Sequence, residues 1–156
     1  MAQPPRIFHL LQRAHNALFR AADRRLRDIG LTASQQGVLF VLQQENDLPV
    51  STIATRLAMG KSSLTGLIDR MESKGLVSRT PNASDARSQL VHIEDAGRAL
   101  ADDGGHSTRA FNAALLAPFS ASEQATIARF LTHVATHADA VLSAPTSSHP
   151  STPDLS

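Results

Sequence analysis

Apolar residues near the start of the chain recur at Ile7, Leu10, Leu11, Ala14, Leu18, Ala21, Ala22 and Ile29. That three-and-four spacing lines one side of a helix and predicts a first helix of about seven turns over residues 5–29, stopped by Gly30. The next run, LTASQQGVLFVLQQ, opens with Thr32 and Gln35 in capping-box spacing, where the hydroxyl accepts from the helix backbone and the amide reaches back to the cap. A second helix starts there. NDLP reads as a turn, VSTIATRLA places Ile53, Ala54 and Leu57 on one short helical face, and MGKS breaks it. KSSLTGLIDRMESKG follows with Leu64, Leu67, Ile68 and Met71 at helical spacing and Gly75 as a left-handed cap. Those four side chains face inward, which leaves Ser62, Ser63, Thr65, Gly66, Asp69 and Arg70 facing out.

Two short aliphatic runs, LVSR and QLVHI, flank the polar stretch TPNASDA and predict a β-hairpin with a long tip. The helical pattern resumes after Ile93 and runs to about Leu116. Gly104 and Gly105 interrupt it, each costing about 1 kcal/mol against alanine inside a helix, so a kink or a close helix contact is expected there. Pro118 ends that element. Ser120 and Glu123 repeat the capping-box spacing, and Ile127, Phe130, Leu131, Val134, Ala138, Val141 and Leu142 mark one face of a last helix. From Pro145 the composition, PTSSHPSTPDLS, is that of a disordered tail, residues 145–156.

Two short helices followed at once by a hairpin make a winged helix-turn-helix, here residues 31–93 of a mainly α chain. In such a lobe the second short helix can lie in a DNA major groove, reading bases through its N-terminal residues. Ser62, Ser63 and Thr65 are therefore candidates for base or phosphate contacts, against the plainer reading that they cap and solvate the helix. Lys61 and Arg70 fit phosphate contacts, because phosphate and sugar take half or more of the bonds in such interfaces. Arg87, on the thin hairpin, can enter a minor groove, where negative potential is concentrated. An unpaired carboxylate there would repel phosphate, so Asp85 is expected to turn inward and hold the tip by accepting from loop amides or an arginine.

Charge supports a polyanionic partner only through its distribution. The 156 residues carry a net charge of +1, yet residues 50–90 hold six Lys/Arg against three Asp/Glu, whereas residues 91–156 hold three against seven. The basic middle coincides with the helix-turn-helix and hairpin. No cysteine is present, which excludes disulfides and thiolate metal sites. The first residues, MAQPPRIFHLL, lack the apolar core of a signal peptide, and the longest apolar run, VLFVL, is far short of a membrane span. A cytoplasmic protein with no membrane partner is expected. No nucleophile elbow, glycine-rich phosphate loop or HExxH pattern brings catalytic groups together, so neither an enzyme nor a cofactor is expected.

The stretch from LTASQQGVLFVLQ through TGLIDRMESKGLVSR, the Asp-x-Arg at Asp85 and Arg87, and Gly97 at the opening of the next helix resembles the multiple antibiotic resistance regulator (MarR) family of winged-helix repressors. The resemblance covers roughly residues 5–143. It implies a homodimer joined through helical segments 5–29 and 94–143, a pseudopalindromic double-stranded DNA operator, and release by a small-molecule effector, with aromatic carboxylates or phenols as the class. Three positions depart from the pattern. Ser88 stands where the wing commonly has another arginine, Gly60 where the recognition helix often has a serine cap, and Glu94 where a threonine usually caps the fifth helix.

Family members bind effectors between the dimerisation helices and the DNA-binding lobe. His15, in line with Leu11, Leu18 and Ala22, is open to two readings: a buried neutral histidine with a backbone partner, or an effector contact. Phe19, Phe40 and Phe111 could wall the same pocket or simply pack in a core. His133 and His137, four apart, put two imidazoles within reach of one metal ion, but two nitrogens do not complete a site. A metal-responsive regulator using that pair is one alternative. A winged-helix module for protein contacts without DNA binding is another, although it would have no need of a basic wing.

Overall fold

The computed structural model describes residues 6–85 and 87–143; the expected tail at 145–156 and Pro5 fall outside them. The elements are α1 (Ile7–Leu26), α2 (Ala33–Gln44), β1 (Leu48–Pro49), α3 (Val50–Arg56), α4 (Lys61–Ser73), β2 (Val77–Pro81), β3 (Gln89–Ile93), α5 (Asp95–Leu116) and α6 (Ala121–Ser143). The fold is mainly α with a small antiparallel sheet, the winged helix-turn-helix expected from the sequence. The described residues divide into two compact units, the first ending at Asn112 and the second beginning at Ala113.

The core lies in the first unit. Val38, Leu39 and Leu42 of α2, Ile53 of α3, and Leu64, Ile68 and Met71 of α4 are buried together with Val77 of β2 and Val91 of β3. All four apolar positions expected to face inward on α4 are buried. The Thr32 cap forms as expected: its hydroxyl accepts from Gln35 N at 3.2 Å, and its own N–H donates to Gln35 Oε1 at 3.0 Å. Gly75 closes α4 at φ 69°, a conformation costly for any residue with a Cβ.

Several local expectations are corrected. The first helix does not run to Ile29. It ends at Leu26 and passes into a 3-10 turn, Arg27–Ile29, because the chain reverses to bury both Leu26 and Leu31. Asp23 fixes that reversal by accepting from Ala33 N at 2.6 Å. The NDLP turn contains a two-residue strand, with Leu48 opposite Val91 and Pro49 opposite Leu90, so the hairpin becomes a sheet of order β1-β3-β2. Proline is tolerated there because β1 is an edge. Between α3 and α4 the left-handed residue is Ala58, at φ 50°, while Gly60 is extended.

Gly104 and Gly105 leave α5 unbroken, and the close contact expected there is real. Gly104 is buried against α2, where a Cβ would fall 2.1 Å from Gln36 Oε1, and Gln36 Nε2 donates to Ala101 O at 3.3 Å. Gly97 is tighter in kind, since a Cβ would fall 2.2 Å from the backbone oxygen of Leu76, which also accepts from Glu94 N at 3.0 Å.

In the second unit, Gln124 Nε2 donates to the carbonyls of Leu116 and Phe119, at 3.1 and 2.8 Å, and so ties the start of α6 to the end of α5. Ser120 and Glu123 form the expected cap. Along the expected apolar face of α6, Ile127, Val134 and Ala138 are half-buried, whereas Phe130, Leu131 and Val141 are exposed. The side chain of Leu142 lies outside the described structure.

Candidate nucleic-acid interface

α4 begins without a side-chain cap, because Gly60 has no group to offer. Its first N–H groups stay available at the positive end of the helix dipole. Lys61, Ser62, Ser63 and Thr65 are exposed around that end. The Thr65 hydroxyl donates to Lys61 O at 2.9 Å, which leaves its lone pairs free to accept. Gly66 is half-buried and lets the Arg70 guanidinium lie back over it, with Nη1 3.6 Å from where a Cβ would sit.

The wing tip is held by its own short polar side chains. Asn82 Oδ1 accepts from Ser84 N at 2.9 Å and Asn82 Nδ2 donates to Ser88 Oγ at 2.8 Å. Asp85 Oδ1 accepts from Arg87 N at 3.0 Å, so the carboxylate is spent on a loop amide, as its position in the hairpin suggested. Ser88 also donates to Asp85 O at 3.2 Å. The serine standing where an arginine is common is thus a structural part of the tip. Arg87 itself is exposed, and no ion pair engages it among the described residues.

A groove of about 430 Å³ runs between the start of α3, the outer side of α4 and the wing, with Lys61, Thr65, Asp69, Arg79 and Arg87 on its walls. It brings Lys61, Thr65 and Arg87 together. Ser62, Ser63, Gly66, Arg70 and Asp85 do not line it. The sequence reading missed Arg79. Its signal was the strand alternation, which puts Arg79 on the same side of β2 as the buried Val77, where a charge needs a partner.

The residues considered for an effector are less concentrated. His15 is exposed, which overturns its reading as a buried core histidine, because no described residue of its own unit covers the α1 face it occupies. Its ring lies against Phe19 with centroids 4.5 Å apart. Phe40 is exposed on α2, Phe111 half-buried on α5, and none of the four lines the groove. His133 and His137 stack at 4.7 Å, with His137 Nδ1 3.1 Å from His133 O. Among the described residues no group of three or more His, Cys, Asp or Glu side chains could hold a metal ion.

A sequence model of the MarR family matches residues 31–89, the lobe that carries this groove. The winged lobe thus matches the MarR family over residues 31–89. The chain is 36% identical over 96 residues to the transcriptional activatory protein BadR of Rhodopseudomonas palustris, a match spanning 60% of this chain and 55% of that relative. The chain thus matches about half the length of that relative. Two solved structures agree over more of the fold. A mutant of the Escherichia coli MarR protein, complexed with operator DNA, superposes with a TM-score of 0.76 at 26% identity, covering 82% of this chain and 92% of that one. The PcaV regulator of Streptomyces coelicolor in complex with its natural ligand gives 0.74 at 26% identity, covering 88% and 99%. These proteins are transcriptional regulators and not enzymes. No described helix is long and apolar enough to cross a membrane.

Proposed function

We propose that this chain is a homodimeric DNA-binding transcriptional regulator of the MarR family that represses from a pseudopalindromic operator and is released by a small aromatic or phenolic ligand. The observation that carries the reading is the pairing, across one groove, of Lys61 and Thr65 of an uncapped recognition helix, which also exposes Ser62 and Ser63, with a hydrogen-bonded wing tip presenting Arg87. Arg70 adds a phosphate contact and Gly66 permits close approach, while Asp85 shapes the tip. The E. coli relative, solved with operator DNA, supports a DNA partner, and helix-turn-helix dimers place two such lobes one helical turn of DNA apart, about 34–36 Å.

Exposed Ile7, Phe8, Leu10 and Leu18 of α1, with Phe130, Leu131 and Val141 of α6, support segments 5–29 and 94–143 as the dimer-forming region beside the DNA-binding lobe 31–93. For an effector, His15 and Phe19 offer a stacked aromatic surface on α1, and Phe40 and Phe111 are the further apolar walls. Such a ligand shifts the equilibrium only by preferring the DNA-incompatible arrangement.

The test is a gel shift with DNA upstream of the protein's own coding region, repeated with benzoate- and phenol-type compounds. A retarded band that a compound abolishes, with a matching rise in melting temperature of the free protein, fits the proposal. His15→Ala should diminish both compound effects and spare ligand-free binding. The Rhodopseudomonas relative's name favours activation as the second reading, and a promoter fusion with and without the protein separates the two signs of control.

A further inference from the structure

Three faces can be read off the recognition helix. Leu64, Leu67, Ile68 and Met71 point into the core, and Ser62, Ser63, Gly66 and Arg70 point away from it. The third face, Thr65, Asp69 and Glu72, follows the i, i+4, i+7 spacing of a single helical stripe and is turned to the wing. There Arg79 of β2 receives it. Arg79 Nη1 donates to Glu72 Oε2 at 2.8 Å, and Nη2 donates to Asp69 Oδ1 at 2.7 Å and to Thr65 O at 3.5 Å. Only 14% of the Arg79 side chain is exposed.

We infer that Arg79 is a positioning residue: its guanidinium clamps the wing to the recognition helix and so sets the angle at which helix and wing tip meet DNA together. The inference rests on the DNA-binding reading above and adds a determinant of operator discrimination that touches no base. Among the described residues Arg79 is the one side chain that hydrogen-bonds a wing strand to α4. Its two strong donors are taken by carboxylates, so it is not the cation that meets phosphate; that falls to Arg87, Lys61 and Arg70. The planar fork reaches both acids at once, which the single ammonium of a lysine does in poorer geometry. The same contact screens two negative charges beside the groove that would otherwise repel the DNA backbone.

The experiment compares Arg79→Ala, Arg79→Lys and the neutral triple variant Arg79→Ala/Asp69→Asn/Glu72→Gln with the wild type. Affinity is measured at fixed salt for the upstream fragment that the wild type retards and for an unrelated duplex of equal length. Arg79→Ala should lose about tenfold in discrimination, a coupling of the size found within one hydrogen-bonded network. Arg79→Lys should recover it only in part. The triple variant has removed two negative charges and one positive, so its affinity for unrelated DNA should equal or exceed the wild type's while discrimination stays low. Full recovery of discrimination in the triple variant would show that Arg79 acts through charge alone and overturn the proposal. Amide exchange in the DNA-free protein supplies the second readout: Arg79→Ala should speed exchange across β2 and β3, and an unchanged rate overturns the clamp. A wild type that binds no DNA refutes the regulator reading, and the exchange data then decide the clamp by themselves.

Discussion

The winged lobe and the long helices at the two ends of the sequence treat their apolar residues in opposite ways. Among the described residues, every buried hydrophobic one lies between Leu26 and Ala101. Before Leu26, α1 has an apolar stripe of equal regularity, yet Phe8 is 74% exposed, Leu10 49% and Phe19 44%, and α6 leaves Val141 at 60%. Both regions satisfy the periodicity of an amphipathic helix. The difference teaches that periodicity identifies a face that needs covering and says nothing about which chain covers it. In the lobe the cover is local: α2, α3, α4 and the sheet close over one another. For α1 and α6 it is assigned, in our proposal, to a second copy.

The largest expected effect breaks this comparison outright. Ending the chain after Pro118 removes α6 and should convert a dimer into monomer or aggregate, because the remaining stripe is too apolar to leave in water. Sedimentation of an intact, soluble dimer would show that α6 is not the cover.

Next come two glycines that should damage the lobe. In Gly97→Ala the new methyl meets the Leu76 backbone oxygen, which cannot move without disturbing the α4–β2 junction. In Gly104→Ala it meets the Gln36 amide, which can rotate only by giving up its bond to Ala101 O. Overpacking of this kind costs about 1–3 kcal/mol, and Gly97 should lie at the upper end because its obstacle is backbone. Urea unfolding provides the check. Equal costs at both positions would contradict the distinction between a fixed and a yielding neighbour.

The lobe was also the more legible part of the sequence. The inward set on α4, the Thr32 cap, the Gly75 stop and the Asp85 contact with a loop amide all follow from spacing and turn chemistry, because each is a contact between near neighbours. What could not be read is what depends on distant partners. β1 exists only because Leu48 finds Val91, and Gln36 meets Ala101 across 65 positions. Asp69 counted as an outward residue until the wing brought Arg79 to it. His15 illustrates the same limit in reverse, since its apolar neighbours on α1 suggested burial that the described residues of its unit do not supply. At the candidate interface, the cationic residues were legible as charges in a basic segment, whereas their division into groove and non-groove positions needed the wing in place.

A smaller effect sharpens the lobe's side of the comparison. Arg87→Ala removes an exposed guanidinium without touching the tip's hydrogen bonds, which among the described residues are made by Asn82, Asp85, Ser88 and backbone groups. Operator affinity should fall by about 1–3 kcal/mol with thermal stability unchanged. A titration at constant salt that shows no loss would remove Arg87 from the DNA surface.

The smallest expected effect separates the two regions by pH. Each has a helix opened by a capping box, Thr32 with Gln35 in the lobe and Ser120 with Glu123 at α6, and only the second contains an ionisable group. The Ser120 hydroxyl and then its backbone N–H, both donating to the Glu123 carboxylate, hold that group below its usual 4.5. A carboxyl whose folded value is depressed contributes stability above the unfolded value and loses it as pH falls through the folded one. Acidification below about 4.5 should therefore fray the first turn of α6 while the first turn of α2 keeps its cap. Amide exchange at residues 121–124 and 33–36, followed from neutral to acid pH, measures the two ends in one sample. Glu123→Gln should make the α6 end behave like the α2 end, with no acid-dependent step. If the α2 end opens at the same pH as the α6 end in the wild type, the transition belongs to the whole fold and the Glu123 cap does not set it.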